Sequence, residues 1–271
     1  MADGRLGWFV TFEGGEGAGK TTQTKRLADR LRDERAEQVL TTREPGGSII
    51  GNAIRTLLVS KAAADHDIDL QFDVAALFQE RVDLGQMSED GMRSMQALML
   101  GPGNIHSVTT EALLHFAARA EHWECALKPM LEKYPWVICD RFSDSTMAYQ
   151  GLSGGAYTDS KGYHETPPLG REQIEMLAQV AIPGVTPDLT FVMDLDPEIG
   201  LARAKARLSD SSSYEARKLD YHRRVREGFL DIARRDPGRC RVINAEQDVE
   251  AISEEIWREV EAFVDARSSA A

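Results

Sequence analysis

The sequence has little cysteine. Its three residues of that type, Cys125, Cys139 and Cys240, are far apart and have no metal-ligand spacing, which suits a reducing compartment. Long apolar runs are also missing: none approaches the roughly 20 residues that span a bilayer. Met1 to Trp8 lacks the basic region and apolar stretch of a secretion signal. Nor is there an excess of positive charge, since 32 Lys and Arg face 44 Asp and Glu, a net charge of −12. Such a surface repels nucleic acid polymers and membranes, so neither is expected as a partner. A small anionic substrate would need a local cluster of arginines working against the global sign. No internal repeat or low-complexity linker interrupts the chain. The expectation is a soluble cytoplasmic protein. With 271 residues, 42% of them apolar, it is read as a single domain over 1–271.

Apolar β-rich runs alternate with helical periodicities. Leu6 to Phe12 reads as a buried strand that enters a glycine-rich loop. Thr21 to Arg32 follows as an amphipathic helix, and Val39 to Thr42 as a second strand closed by Pro45-Gly46-Gly47. Thr110 to Leu131 has a helical pattern. Trp136 to Cys139, Leu189 to Leu195 and Arg241 to Asn244 read as further strands. Pro197 to Arg207 reads as a helix with proline in its first turn. Ile252, Ile256, Val260 and Phe263 form an apolar stripe on a C-terminal helix. The alternation predicts an α/β fold with a parallel central sheet flanked by helices. Two stretches break the rhythm. Residues 61–107, with Met92, Met95 and Met99 at helical spacing, read as an inserted helical segment that packs on the body or meets a partner. Ser153 to Gly170, rich in Gly, Ser, Tyr and Pro, reads as a long loop.

The strongest chemical signal is Gly14-Gly15-Glu16-Gly17-Ala18-Gly19-Lys20-Thr21-Thr22. It matches G-x-x-x-x-G-K-[ST] between a strand and a helix, the context this phosphate loop requires. Its backbone N–H groups and the N-terminal end of the helix cradle phosphates. Lys20 reaches the β and γ phosphates of ATP, and the Thr21 hydroxyl ligates Mg2+. The motif alone does not separate kinases from GTPases or motor ATPases. Asp140, at the end of another buried strand, is placed either to hold magnesium or to cap a helix. Arg141 follows it as a fixed cation beside the phosphates.

In combination with other segments, the loop makes the chain resemble bacterial thymidylate kinases, P-loop nucleoside monophosphate kinases. The segments are Phe12 to Thr22, Thr42-Arg43-Glu44-Pro45-Gly46-Gly47, Glu111-Ala112-Leu113-Leu114 through Arg119, Asp140-Arg141 with Asp144-Ser145-Thr146, Ala148-Tyr149-Gln150-Gly151, and Pro187-Asp188-Leu189-Thr190. The resemblance implies a P-loop NTPase fold and ATP- and Mg2+-dependent phosphorylation of dTMP to dTDP, a step of dTTP synthesis, by a homodimer. It also implies site roles. Glu16 would meet the sugar 3′-hydroxyl. Arg55 and Arg141 would grip the acceptor phosphate beside Glu44 and Pro45. Arg119 would hydrogen-bond the base. Ser145, Thr146, Tyr149 and Gln150 would line the nucleoside pocket.

Two positions depart from the family pattern. His115 stands where the family has a phenylalanine that stacks on thymine. In the lid, residues 203–220, the usual Asp-Arg pair is replaced by Ser209-Asp210-Ser211-Ser212-Ser213. The variable positions of the phosphate loop carry no basic residue. A transition-state cation beyond Lys20 and Arg141 is therefore expected from Arg207, with Arg203 as the alternative. A kinase of another nucleotide or nucleoside would share the phosphate loop, as would an ATP-binding switch that transfers nothing. Arg119 and the segment from Ser145 to Gln150 are the features that speak for thymidylate.

Overall fold

The computed structural model describes residues 7–59, 88, 107–159, 162–206, 214, 215 and 217–268. Among these, five strands form an all-parallel sheet: β1 (Trp8–Gly14), β2 (Val39–Arg43), β3 (Trp136–Asp140), β6 (Leu189–Asp194) and β7 (Cys240–Asn244). Their order across the sheet is β2-β3-β1-β6-β7. Helices follow the strands in sequence: α1 (Lys20–Arg35), α2 (Ile49–Val59), α3 (Val108–His122), α4 (Lys128–Lys133), α5 (Ser143–Thr146), α6 (Arg171–Ala181), α7 (Pro197–Ala206), α8 (Leu219–Arg235) and α9 (Val249–Ser268).

Alternation along each strand supplies both faces of the sheet. Val10, Phe12, Ile138, Phe191 and Met193 join one cluster with Leu27 and Leu31 of α1 and Ile252, Ile256 and Val260 of α9. Phe9, Val137 and Cys139 face the other way and pack with Leu127 and Leu131, while Val192 meets the Val225–Phe229–Ile232 stripe of α8. Burial on both faces accounts for the nearly continuous apolar runs of these strands.

The helix expected between Thr110 and Leu131 runs on to Lys133 but contains a π turn over Trp123–Leu127. Pro129 stands two residues after it. It has no N–H to donate and its ring crowds the carbonyl one turn back, at Cys125, so the chain widens by one residue instead of continuing regularly. The stretch from Ser153 to Gly170, expected as a loop, is corrected: Gly155–Asp159 and Gly162–Thr166 pair antiparallel as β4 and β5. Tyr157, Thr158, Tyr163 and Thr166 are β-prone, and the surrounding Gly, Ser and Pro conceal them. The expected helical segment over 61–107 lies, apart from Ser88 and Ser107, outside the described residues.

The registers place Gly14, Arg43, Asp140, Asp194 and Asn244 along one edge, where open α/β sheets bind ligands. Phe191 is fully enclosed and lies 5.1 Å from the Phe12 ring. Phe191→Ala should cost about 3–5 kcal/mol, read as a lower urea midpoint at unchanged slope.

Candidate active site

The phosphate loop leaves β1 at Gly14 and closes into α1 at Lys20. Gly17 has φ +70°, and a Cβ there would sit 2.0 Å from the carbonyl oxygen of Gly200 in α7. Glycine is therefore required both by conformation and by this close approach. Lys20 is buried and donates from Nζ to the carbonyl of Gly15 at 2.6 Å. Burial, with repulsion from Arg141, pushes its ammonium down to about 8. An anion in the loop would favour the charged form.

The Thr21 hydroxyl, in the first turn of α1, donates to Oδ2 of Asp140 at the end of β3 at 2.5 Å. Two hard oxygen donors, one of them a carboxylate, thus meet beside the loop, a donor set that suits magnesium. The next residue, Arg141, has φ +72°, rare for a residue with a Cβ. This turn sends its guanidinium back over the phosphate loop. Nη1 donates to the Gly14 carbonyl at 3.0 Å and to Ser145 Oγ at 3.2 Å. Nη2 donates to Glu16 Oε1 at 3.1 Å. The Tyr149 hydroxyl donates to the same oxygen at 2.9 Å. Burial works to raise the Glu16 carboxyl, but Arg141 and Lys20 outweigh it and hold it below the usual carboxylate range.

A second cluster lies toward α3. Arg119 is 2% exposed. Its Nε donates to Glu44 at 2.7 Å, Nη1 to Thr146 Oγ1 at 3.1 Å and Nη2 to the Phe142 carbonyl at 3.0 Å. Glu44 also meets His122 Nδ1 at 3.0 Å. Arg55, from α2, donates to the Pro45 carbonyl at 3.2 Å. Gln150 donates to Glu111 at 2.9 Å and to the Tyr214 hydroxyl at 3.3 Å. His115 shares a hydrogen bond of 3.0 Å with that same hydroxyl, and burial holds its imidazole neutral, with a pKa of about 3.

The structure therefore brings Glu16, Arg141, Ser145 and Tyr149 into one bonded group, and Glu44, Arg119 and Thr146 into another. Arg203 is turned elsewhere: its Nη1 donates to the Ala245 carbonyl beyond β7 at 3.0 Å. Arg207 lies outside the described residues, as do 208–213 of the lid. Sequence reasoning missed Tyr214, and it read Arg217 only as a more distant lid cation; the structure sets both beside Gln150 and Glu111. Arg217 pairs with Glu111, donates to the Tyr221 hydroxyl at 2.6 Å and lies over the Tyr214 ring. The spacing of Tyr214, Arg217 and Tyr221 is the signal that could have revealed it.

Glu13 received no role from the sequence, yet it is completely buried beneath the loop. Its Oε1 accepts from the Phe142 amide at 2.7 Å and its Oε2 from Ser145 Oγ at 2.6 Å. Burial, then the charge of Asp144, pushes its carboxyl up to about 8 from 4.5. The folded state therefore holds this proton more tightly than the unfolded chain. The contribution to stability is full below pH 4.5 and is lost as pH rises through about 8. Thermal melts of wild type and Glu13→Gln between pH 5 and pH 9 should show a fall in the wild type that the variant lacks.

Comparisons with known proteins agree with this geometry. The family model for thymidylate kinase matches residues 12–83 and 92–256. The thymidylate kinase of Caulobacter vibrioides is 38% identical over 247 residues, covering 91% of this chain and 92% of its own. That of Magnetococcus marinus is 37% identical over 255 residues, covering 94% and 96%. The crystal structure of thymidylate kinase from Ehrlichia chaffeensis superimposes with a TM-score of 0.58 at 28% identity, over 94% of this chain and 99% of that one. The phosphate loop, the Arg141 turn and these matches along nearly the whole chain place the protein in the thymidylate kinase family.

Proposed function

We infer that the protein transfers the γ-phosphoryl group of ATP to the 5′-phosphate of dTMP, forming dTDP and ADP. The observation that carries this reading is Arg141. One guanidinium touches both the rim of the phosphate loop, at Gly14, and the acceptor-side group of Glu16, Ser145 and Tyr149. A cation placed there can neutralise charge on donor and acceptor together.

The chemistry needs little more than placement. An oxygen of the dTMP phosphate attacks the γ-phosphorus, the bond from that phosphorus to the β–γ bridging oxygen breaks, and ADP leaves with the electron pair. The attacking phosphate has a second pKa of roughly 6, so it is already ionised near neutral pH and no general base is required. Lys20 and the loop amides hold the donor, and Arg141 and Arg55 hold the acceptor phosphate. Thr21 and Asp140 would hold Mg2+, which supplies positive charge for the transferring phosphoryl group.

On the acceptor side, Glu16 faces the sugar, while Tyr149 and Gln150 wall the nucleoside. Arg119 spends three of its N–H groups on Glu44, Thr146 and Phe142. A guanidinium carries about five N–H donors, so two remain for a base carbonyl. The neutral His115 offers a flat ring face in place of a phenyl. Arg207 of the lid supplies a further cation on closure. Arg203, held by the Ala245 carbonyl, joins it only by exchanging that partner. The reading includes a homodimer acting in the cytoplasm. Among the described residues no helix is long and apolar enough to cross a membrane.

A coupled assay of ADP release across the common deoxy- and ribonucleoside monophosphates should give the highest kcat/KM with dTMP. Lys20→Ala should lower turnover by about 10²-fold or more, because a preorganised cation is removed from the developing charge, while the far-UV spectrum and Tm stay near wild type. Near-normal turnover in that variant would overturn the assignment of the phosphate loop.

A further inference from the structure

Side chains far apart in sequence form one hydrogen-bonded row: Arg217, Glu111, Gln150, Tyr214 and His115. Only one set of bond directions satisfies all of them. Arg217 pairs with Oε1 of Glu111, so Glu111 is a carboxylate and can only accept. Its Oε2 therefore takes an N–H of Gln150, at 2.9 Å, which fixes the end of that amide that is nitrogen. The second N–H of the same nitrogen donates to the Tyr214 oxygen at 3.3 Å. The Tyr214 proton is then left for His115, whose Nε2 accepts it at 3.0 Å. The reverse direction would leave that phenolic proton without an acceptor among the described residues, and Tyr214 is buried.

Burial, then the nearby Glu111, raises the Tyr214 hydroxyl well above its ordinary range, so it keeps the proton. Burial, then Arg119, holds His115 neutral, and a neutral imidazole carries one N–H. With Nε2 accepting, that hydrogen belongs on Nδ1.

His115 precedes Arg119 by one turn of α3, so both side chains leave the same face of the helix. The outer torsion of an aromatic side chain is broad and roughly two-fold. A phenyl ring is unchanged by such a flip, but an imidazole exchanges nitrogen for carbon along its edge. Tyr214 removes that freedom, and its own ring is well seated. It stands edge-on to Tyr149 at 5.5 Å, with the Arg217 guanidinium 4.4 Å from its centroid. We propose that Tyr214 is a positioning residue whose hydroxyl pins His115 in one orientation, as the Nδ1–H tautomer, and so holds the ring face that meets the acceptor base. The proposal rests on the reading of His115 as the base-facing ring and adds what orients it.

The test joins spectroscopy to a double-mutant cycle. In protein labelled with nitrogen-15 histidine, the His115 signals are those lost in His115→Phe. Near pH 7 they should show a protonated Nδ1 and an unprotonated Nε2. Tyr214→Phe keeps the ring and removes only the hydroxyl, and Tyr214→Leu replaces it should the first variant fail to fold. In either, the signals should move to the averaged values of mixed tautomers. At saturating ATP, Tyr214→Phe should raise KM for dTMP about fivefold, the scale of one hydrogen bond, with kcat and KM for ATP held within about twofold. In a His115→Phe background the same substitution should change KM for dTMP by less than about twofold. A protonated Nε2 in wild type, signals unmoved by loss of the hydroxyl, or an equal loss in both backgrounds would overturn the proposal. If His115→Ala raises KM for dTMP and the Tyr214 variants do not, the proposal fails and the reading of His115 stands. If His115→Ala leaves KM for dTMP unchanged, the reading of His115 fails and the proposal falls with it.

Discussion

The site depends on where the chain turns after β3. Arg141 adopts a left-handed backbone conformation that residues with a Cβ rarely take. Such strain, of order 1–3 kcal/mol, persists only when its surroundings enforce it. The enforcing contacts are on both sides. The Arg141 amide donates to the Phe12 carbonyl at 2.9 Å, and the next amide, of Phe142, donates to the buried Glu13. The sheet edge and one buried carboxyl group thus clamp the turn, and the clamp aims the guanidinium over the phosphate loop. Without it, the Gly14 rim of the phosphate loop and the acceptor-side pair of Ser145 and Tyr149 would lack a shared cation.

Buried ions recur around this centre and have a second use. Arg119 with Glu44, and Arg217 with Glu111, are ion pairs almost wholly removed from water. Such pairs are weak sources of net stability, yet losing one partner costs about 3–5 kcal/mol because the other charge is stranded. Each pair also joins elements distant in sequence. Glu44 follows β2, Arg119 belongs to α3, and the Thr146 and Phe142 contacts bring in α5 and the end of β3. Their value lies in register: they fix three separate segments around one pocket.

Much of this was legible in the chain because the physics is local. A phosphate loop needs its glycines, lysine and threonine in one short run between a strand and a helix, and the run from Gly14 to Thr22 supplies them. Each of the five parallel strands was visible as an apolar run. The β4–β5 hairpin was not, since glycine, serine and proline around it dilute the alternation. The amphipathic stripe of α8, with Tyr221, Val225, Phe229 and Ile232 buried at helical spacing, passed unread beneath a strongly basic composition. Glu13 was illegible for a different reason. Its importance comes from what it faces across the fold, at a separation of 129 positions from Phe142. No local pattern encodes that.

The contact between Gly17 and Gly200 bears on how such a sequence can drift. A side chain at either position would run into the other's backbone neighbourhood: at position 17 into the Gly200 carbonyl, and at position 200 into the Glu16 carbonyl 2.3 Å away. The first glycine sits inside a nucleotide-binding motif; the second lies in a helix that carries no such signature. Position 200 therefore inherits its intolerance from a loop nearly two hundred residues earlier. A combinatorial library over 197–206 would have to treat it as part of the phosphate loop.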